Sequence, residues 1–188
     1  MKLIILDRDG VINFDSPDYI KSPDEWIPIP GSLEAIVKLN QAGYTVTVAT
    51  NQSGVGRGLY SPSVLAAIHQ KLQLQLAALG GKIDFFAVCP HSPDENCRCR
   101  KPLPGLLLQI SEHYHCSLAN IPVVGDSYRD IEAALAVNAK PILVLTGNGI
   151  KTQSQLTSQQ AINVYPDLQE AVISLLGNTF LPIIVAIA

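Results

Sequence analysis

The stretch Lys2-Leu3-Ile4-Ile5-Leu6-Asp7-Arg8-Asp9-Gly10-Val11-Ile12-Asn13 sets the fold class. Leu3 to Leu6 is a run of four apolar residues, too short for a helix and apolar on both faces, as a central parallel strand is. It stops at two carboxylates two residues apart, and Gly10 lets the chain curl after them. Similar short runs recur at Thr45–Ala49, Asp84–Cys89, Ile121–Val124, Pro141–Leu145 and Ala161–Val164. Between them lie helical patterns: Ser32–Asn40, stopped by Gly43; Ser61 to Gly80-Gly81, opened by Ser61 and Pro62; Pro104 to about Cys116; Tyr128–Asn138; and Pro166–Leu176. Strand–helix alternation predicts an α/β fold, a doubly wound, mostly parallel, Rossmann-like sheet forming one domain over residues 1–188. Ligands in such sheets bind beyond the carboxyl ends of the strands, so function should be written in the residues just after each strand.

Composition narrows the classes. Of 188 residues, 13 are Lys or Arg and 16 Asp or Glu, for a formal net charge of −3. The charged fraction is 15 % and the hydrophobic fraction 47 %, with mean hydropathy +0.23. So apolar a chain has the material for a core and is not an intrinsically disordered one. A net acidic chain lacks the cationic excess that holds nucleic acid, so no nucleic-acid partner is expected. The uncharged C-terminal stretch Ala171–Ala188 is interrupted by Gly177, Asn178, Thr179 and Pro182, and no signal-peptide core follows Met1. No membrane association is therefore expected, and the chain reads as a cytoplasmic protein acting as a monomer. In that compartment four cysteines suit metal ligation or free thiols better than disulfides.

The strand ends carry the chemistry. Asp7 and Asp9 come after the first strand; Asp is a competent nucleophile toward phosphorus, and a second carboxyl nearby can act as general acid. Asp-x-Asp-Gly alone reads equally well as a solvated turn. After the second strand come Thr50-Asn51-Gln52-Ser53-Gly54 and then Arg57-Gly58, offering donors for phosphate oxygens. After the third, Cys89-x-His91 and Cys97-x-Cys99 make a Cys3His set with two close pairs, which suits a structural tetrahedral Zn²⁺; the plain alternative is free cysteines clustered in a proline-rich loop. Arg100 and Lys101 come next, both suited to phosphate. After the fourth strand comes Gly125-Asp126-Ser127-Tyr128-Arg129-Asp130, where Asp126 beside Asp7 would make a hard oxygen site for Mg²⁺. Asp126 and Asp130 also fit the ordinary duties of a helix start.

Together these motifs resemble the haloacid dehalogenase-like phosphohydrolases: Asp-x-Asp after strand one, Thr50 after strand two, Lys101 after the Cys/His loop and Gly-Asp-x-x-x-Asp after strand four. The resemblance extends from Lys2 to about Thr146. Within that family, Asp7-Arg8-Asp9-Gly10-Val11-Ile12-Asn13, Thr50-Asn51-Gln52-Ser53-Gly54 and Cys-x-His…Cys-x-Cys-Arg-Lys-Pro are similar to a narrower group, the heptose-bisphosphate and histidinol-phosphate phosphatases. Asn13, the Asn-Gln-Ser-Gly stretch and Arg57 favour the heptose branch, which makes a precursor of the lipopolysaccharide core. The resemblance implies a Mg²⁺-dependent phosphatase with Asp7 as nucleophile and Asp9 as acid and base. Thr50 and Lys101 would hold the transferring oxygens. Mg²⁺ would sit on Asp7, Asp126 and the Asp9 carbonyl, with Asp130 as a ligand or behind one. The substrate, a small sugar bisphosphate, would be read by Arg100 with Asn51, Gln52, Ser53, Arg57 and the loop from Asp15 to Asp18. Only about 40 residues separate Asp9 from Thr50, so no large cap domain is expected and the site should be nearly open.

Overall fold

A computed structural model describes residues 1–156 and 162–177. Its six strands are β1 (Lys2–Leu6), β2 (Tyr44–Asn51), β3 (Phe85–Cys89), β4 (Pro122–Gly125), β5 (Lys140–Val144) and β6 (Asn163–Tyr165). Every pairing is parallel, in the order β3-β2-β1-β4-β5-β6. The helices are α1 (Ser32–Gln41), α2 (Ser53–Gly56), α3 (Pro62–Ala78), α4 (Gly105–Tyr114), α5 (Tyr128–Leu135), α6 (Gly149–Gln153) and α7 (Leu168–Leu175). The expected doubly wound sheet is thus present. α2, α6 and a one-turn 3₁₀ segment at Pro93–Glu95 are too short to leave a periodic signature in the sequence. The sixth strand lies at Asn163–Tyr165 rather than Ala161–Val164; Ala161 falls outside the described residues, as does the apolar tail from residue 178.

Side chains alternate between the two faces of β1, which is why an all-apolar run is required there. Ile4 and Leu6 enter the layer made with α1, α3 and α7, whereas Leu3 and Ile5 enter the layer made with α4 and α5. Ser61 caps α3 by accepting from the Val64 N–H at 3.2 Å, with Pro62 in the first turn. No helix of the described residues is long and apolar enough to cross a membrane.

The strand order positions the site. Successive connections run outward from β1 in one direction to β2 and β3, then return to β4 on its other side. Crossover helices therefore leave opposite faces on the two sides of the β1–β4 pair, and a crevice opens at their carboxyl ends. Leu6 pairs with Val124, and the Asp7 N–H donates to the Val124 carbonyl at 2.8 Å, which brings the turns after β1 and β4 side by side. Among the described residues no helix or strand stands between β1 and α1, in keeping with the absence of a large cap.

Candidate active site

Over this crevice lies a cavity of about 240 Å³, lined by Asp7, Asp9, Thr50, Lys101, Asp126 and residues of the loops around them. The fold brings these five to one place from the ends of β1, β2 and β4 and from the loop after β3. Lys101 lies at the floor, 4 % exposed. Its Nζ donates to the Ala49 carbonyl at 2.7 Å and meets Asp7 Oδ1 at 3.0 Å and Asp130 Oδ1 at 2.5 Å. Burial alone would lower the Lys101 ammonium, but Asp130 and Asp7 raise it, so it stays charged. The loop is tied down by Asn51, whose side-chain oxygen accepts from the Lys101 N–H at 3.1 Å while its nitrogen donates to the Lys101 carbonyl at 3.0 Å. Asn51 also lines the cavity, with one N–H and one lone pair of its amide beyond these two bonds.

Asp7, Asp126 and Asp130 each place an oxygen within 4.8 Å of the others. Burial pushes the Asp7 carboxyl up to about 8, with Asp130, Asp126 and Asp9 adding to the rise and Lys101 opposing it. Burial likewise pushes Asp126 up to about 6. Such a cluster is short of positive charge, and hard oxygen donors suit a small divalent cation. Asp126 is held by one oxygen: Oδ2 accepts from the Asn148 N–H at 2.7 Å and from its side-chain amide at 3.2 Å. Gly10 and Gly147, both at positive φ, pack so closely on that oxygen that a Cβ on either would collide with it. Oδ1 remains for a ligand. The oxygens of Asp130 are both engaged, Oδ2 accepting from the Ser127 N–H and hydroxyl and Oδ1 facing Lys101. Asp130 thus closes the capping box with Ser127 at the start of α5 and anchors Lys101.

Asp9 sits among donors. Oδ1 accepts from Arg8 Nε at 3.0 Å and from Asn13 at 2.8 Å; Oδ2 accepts from Gln52 at 2.8 Å. Burial would raise its carboxyl, but Arg8, Asn13 and Gln52 together hold it below the usual range. Ser53, Asp15 and Arg100 line the cavity, and Arg100 is steadied by donating to the His91 carbonyl at 3.3 Å. Asp18 and Arg57 do not line it; both are exposed. Tyr60, Tyr19 and Asn148 line it although no sequence motif marks them as site residues, and so does Arg129, an unassigned position inside the strand-four motif. Asn148 comes after β5, so the strand-end rule could have found it; Tyr60, between α2 and α3, carries no such signal.

Cys89, His91, Cys97 and Cys99 converge beside the cavity, with no disulfide among them. Sγ–Sγ separations of 3.5 and 3.6 Å, and a His91 Nδ1 to Cys99 Sγ distance of 3.2 Å, approach the edges of a tetrahedron around a metal ion. The donor set therefore fits a closed metal site.

Residues 98–171 match the HAD-hydrolase-like family model. The chain is 59 % identical to the D-glycero-β-D-manno-heptose-1,7-bisphosphate 7-phosphatase of Pseudomonas aeruginosa over 80 % of this chain and 84 % of that one. With the enzyme of the same name from Bordetella bronchiseptica, identity is 54 % over 89 % of this chain and 94 % of that one. The chain belongs to the heptose-1,7-bisphosphate 7-phosphatase family. The solved structure of the D,D-heptose 1,7-bisphosphate phosphatase from B. bronchiseptica, complexed with magnesium and phosphate, superposes with a TM-score of 0.92 at 51 % identity, covering 95 % of this chain and all of that one. The corresponding enzyme from Burkholderia thailandensis gives a TM-score of 0.74 at 43 % identity, covering 94 % and 99 %. As a family member the chain is a HAD-like phosphatase.

Proposed function

We propose that this chain hydrolyses the 7-phosphate of D-glycero-β-D-manno-heptose 1,7-bisphosphate through an aspartyl-phosphate intermediate, a step toward the heptose of the lipopolysaccharide core. The observation that carries the reading is the single buried cluster in which Lys101 Nζ lies 3.0 Å from Asp7 while Asp126 completes a carboxylate group around the same point. The family names supply the substrate.

Asp7 is the nucleophile: its oxygen bonds to phosphorus as the bond to the sugar oxygen breaks. Asp9 in its acid form gives its proton to that leaving oxygen, and as carboxylate then takes a proton from the water that cleaves the acyl phosphate. The donors around Asp9 make it a strong acid once protonated and keep the conjugate base ready for the return step. Thr50 and Lys101 bind the transferring oxygens, where charge builds in the transition state. Mg²⁺, held by Asp7, Asp126 and the Asp9 carbonyl, supplies charge neutralisation when bound. Asp130 keeps Lys101 in position. Arg100, which lines the cavity together with Ser53 and Asp15, takes the second phosphate. Cys89, His91, Cys97 and Cys99 would hold Zn²⁺, which would fix the loop that carries Arg100 and Lys101.

The test is turnover by purified protein with Mg²⁺. Release of one phosphate per heptose bisphosphate, with a sugar 1-phosphate left, is expected, and kcat/KM should exceed that on histidinol phosphate. No release, or preference for histidinol phosphate, overturns the substrate assignment.

A further inference from the structure

Gln52, expected from its place after β2 to face the substrate, is 2 % exposed, and its amide is fully used inside the protein. The nitrogen donates to Asp9 Oδ2 and to Thr50 Oγ1, each at 2.8 Å. The oxygen accepts from Arg8 Nη2 at 3.0 Å and from the Tyr60 hydroxyl at 2.8 Å. A primary amide has two N–H bonds and two lone pairs, so none remains for a ligand. Its orientation follows from chemistry: a guanidinium only donates and a carboxylate only accepts, so the oxygen faces Arg8 and the nitrogen Asp9. Arg8 is itself buried and backed by His69, whose Nε2 lies 3.2 Å from Nη1 and whose ring stacks on Phe86 at 4.4 Å. The Tyr60 ring packs against Gly54, where an added Cβ would collide with it.

We propose that Gln52 is a positioning residue, not a reader of substrate: it sets the Asp9 carboxylate and the Thr50 hydroxyl as one unit, with Tyr60 and Arg8 fixing its orientation. Because Thr50 Oγ1 accepts from Gln52, its own proton is left for a phosphoryl oxygen in the cavity that Thr50 lines. A buried, fully satisfied network of this kind is rigid, and a small displacement of reacting groups costs about 10²-fold in rate. The inference rests on the catalytic roles proposed for Asp9 and Thr50.

The test compares kcat and KM of wild type, Gln52→Leu, Tyr60→Phe and the double variant on heptose bisphosphate and on p-nitrophenyl phosphate, with Mg²⁺ saturating. Gln52→Leu should lower kcat about 10²-fold on both substrates with KM changed less than about twofold. Tyr60→Phe should lower kcat by roughly fivefold in the same manner and add nothing to Gln52→Leu, since it acts through it. A rise of KM on the bisphosphate alone with kcat retained, unchanged kcat in both single variants, or additive effects in the double variant would each overturn the proposal. If Gln52→Leu does not fold, Tyr60→Phe and the isosteric Gln52→Glu decide it by the same kcat-against-KM criterion. If wild type turns over only p-nitrophenyl phosphate, the heptose assignment fails while the positioning role is still judged on that substrate.

Discussion

Replacing Asp7 by Asn should abolish turnover and at the same time stabilise the fold. Asp7, Asp126 and Asp130 crowd their oxygens within 4.8 Å, and burial lifts the Asp7 carboxyl from 3.8 to about 8. The folded protein therefore keeps a proton that the unfolded chain releases anywhere between about pH 4 and pH 8. Stability from this group falls as pH rises through that window, by up to about 1.4 kcal/mol per pH unit. At pH 7 the accumulated cost is about 4 kcal/mol, lessened by the 14 % exposure of the side chain. Asn carries no charge in either state and still offers an oxygen to Lys101. The expected gain is about 2–4 kcal/mol in metal-free buffer, which for a chain of this size is a rise in Tm of roughly 5–15 °C. The measurement is thermal unfolding of both proteins at pH 7 in EDTA and in saturating Mg²⁺, beside phosphate release. Mg²⁺ should narrow the difference by stabilising wild type through binding. A variant melting at or below wild type in EDTA would refute burial, aided by the neighbouring carboxylates, as the source of the shift; appreciable turnover would remove Asp7 as the nucleophile.

Gly147→Ala forces a Cβ at positive φ against Asp126 Oδ2 and should weaken Mg²⁺ binding by about tenfold or more in calorimetry; unchanged affinity would mean that the cradle around Asp126 does not orient it. Cys97→Ser should take the bound zinc from about one per chain to well below that by elemental analysis and lower Tm, whereas a wild type without zinc and a variant of unchanged Tm would dismiss the metal site.

Several site residues are legible in the sequence because they sit where a simple rule looks. Asp7, Asp9, Thr50 and Asp126 end or directly follow strands, and Lys101 follows a loop whose Cys and His spacing is informative by itself. Asn51 and Gln52 pass the same rule and line the cavity, and their amides hydrogen-bond to the protein itself. Position next to a strand end places a polar side chain near the site, but whether its amide turns to the ligand or back to the protein depends on partners elsewhere in the chain. Asn51 turns to the Lys101 peptide and Gln52 to Arg8, Asp9, Thr50 and Tyr60. Arg57 and Asp18 stand outside the cavity for a related reason: closeness in sequence to Ser53 and Asp15 does not carry a side chain around the bend.

Alternating apolar runs and helical patterns, read from neighbouring residues alone, are enough for an α/β sheet with acids, a hydroxyl and a lysine at its strand ends. Periodicity and spacing are short-range properties and survive without the fold. Strand order is not: only the assembled sheet puts β4 beside β1, and so Asp126 beside Asp7. Lys101 likewise reaches Asp7 from the far end of the loop after β3, with Asn51 pinning its backbone. The raised Asp7 carboxyl is a property of that gathering, since it comes from burial and from like charges that are distant along the chain.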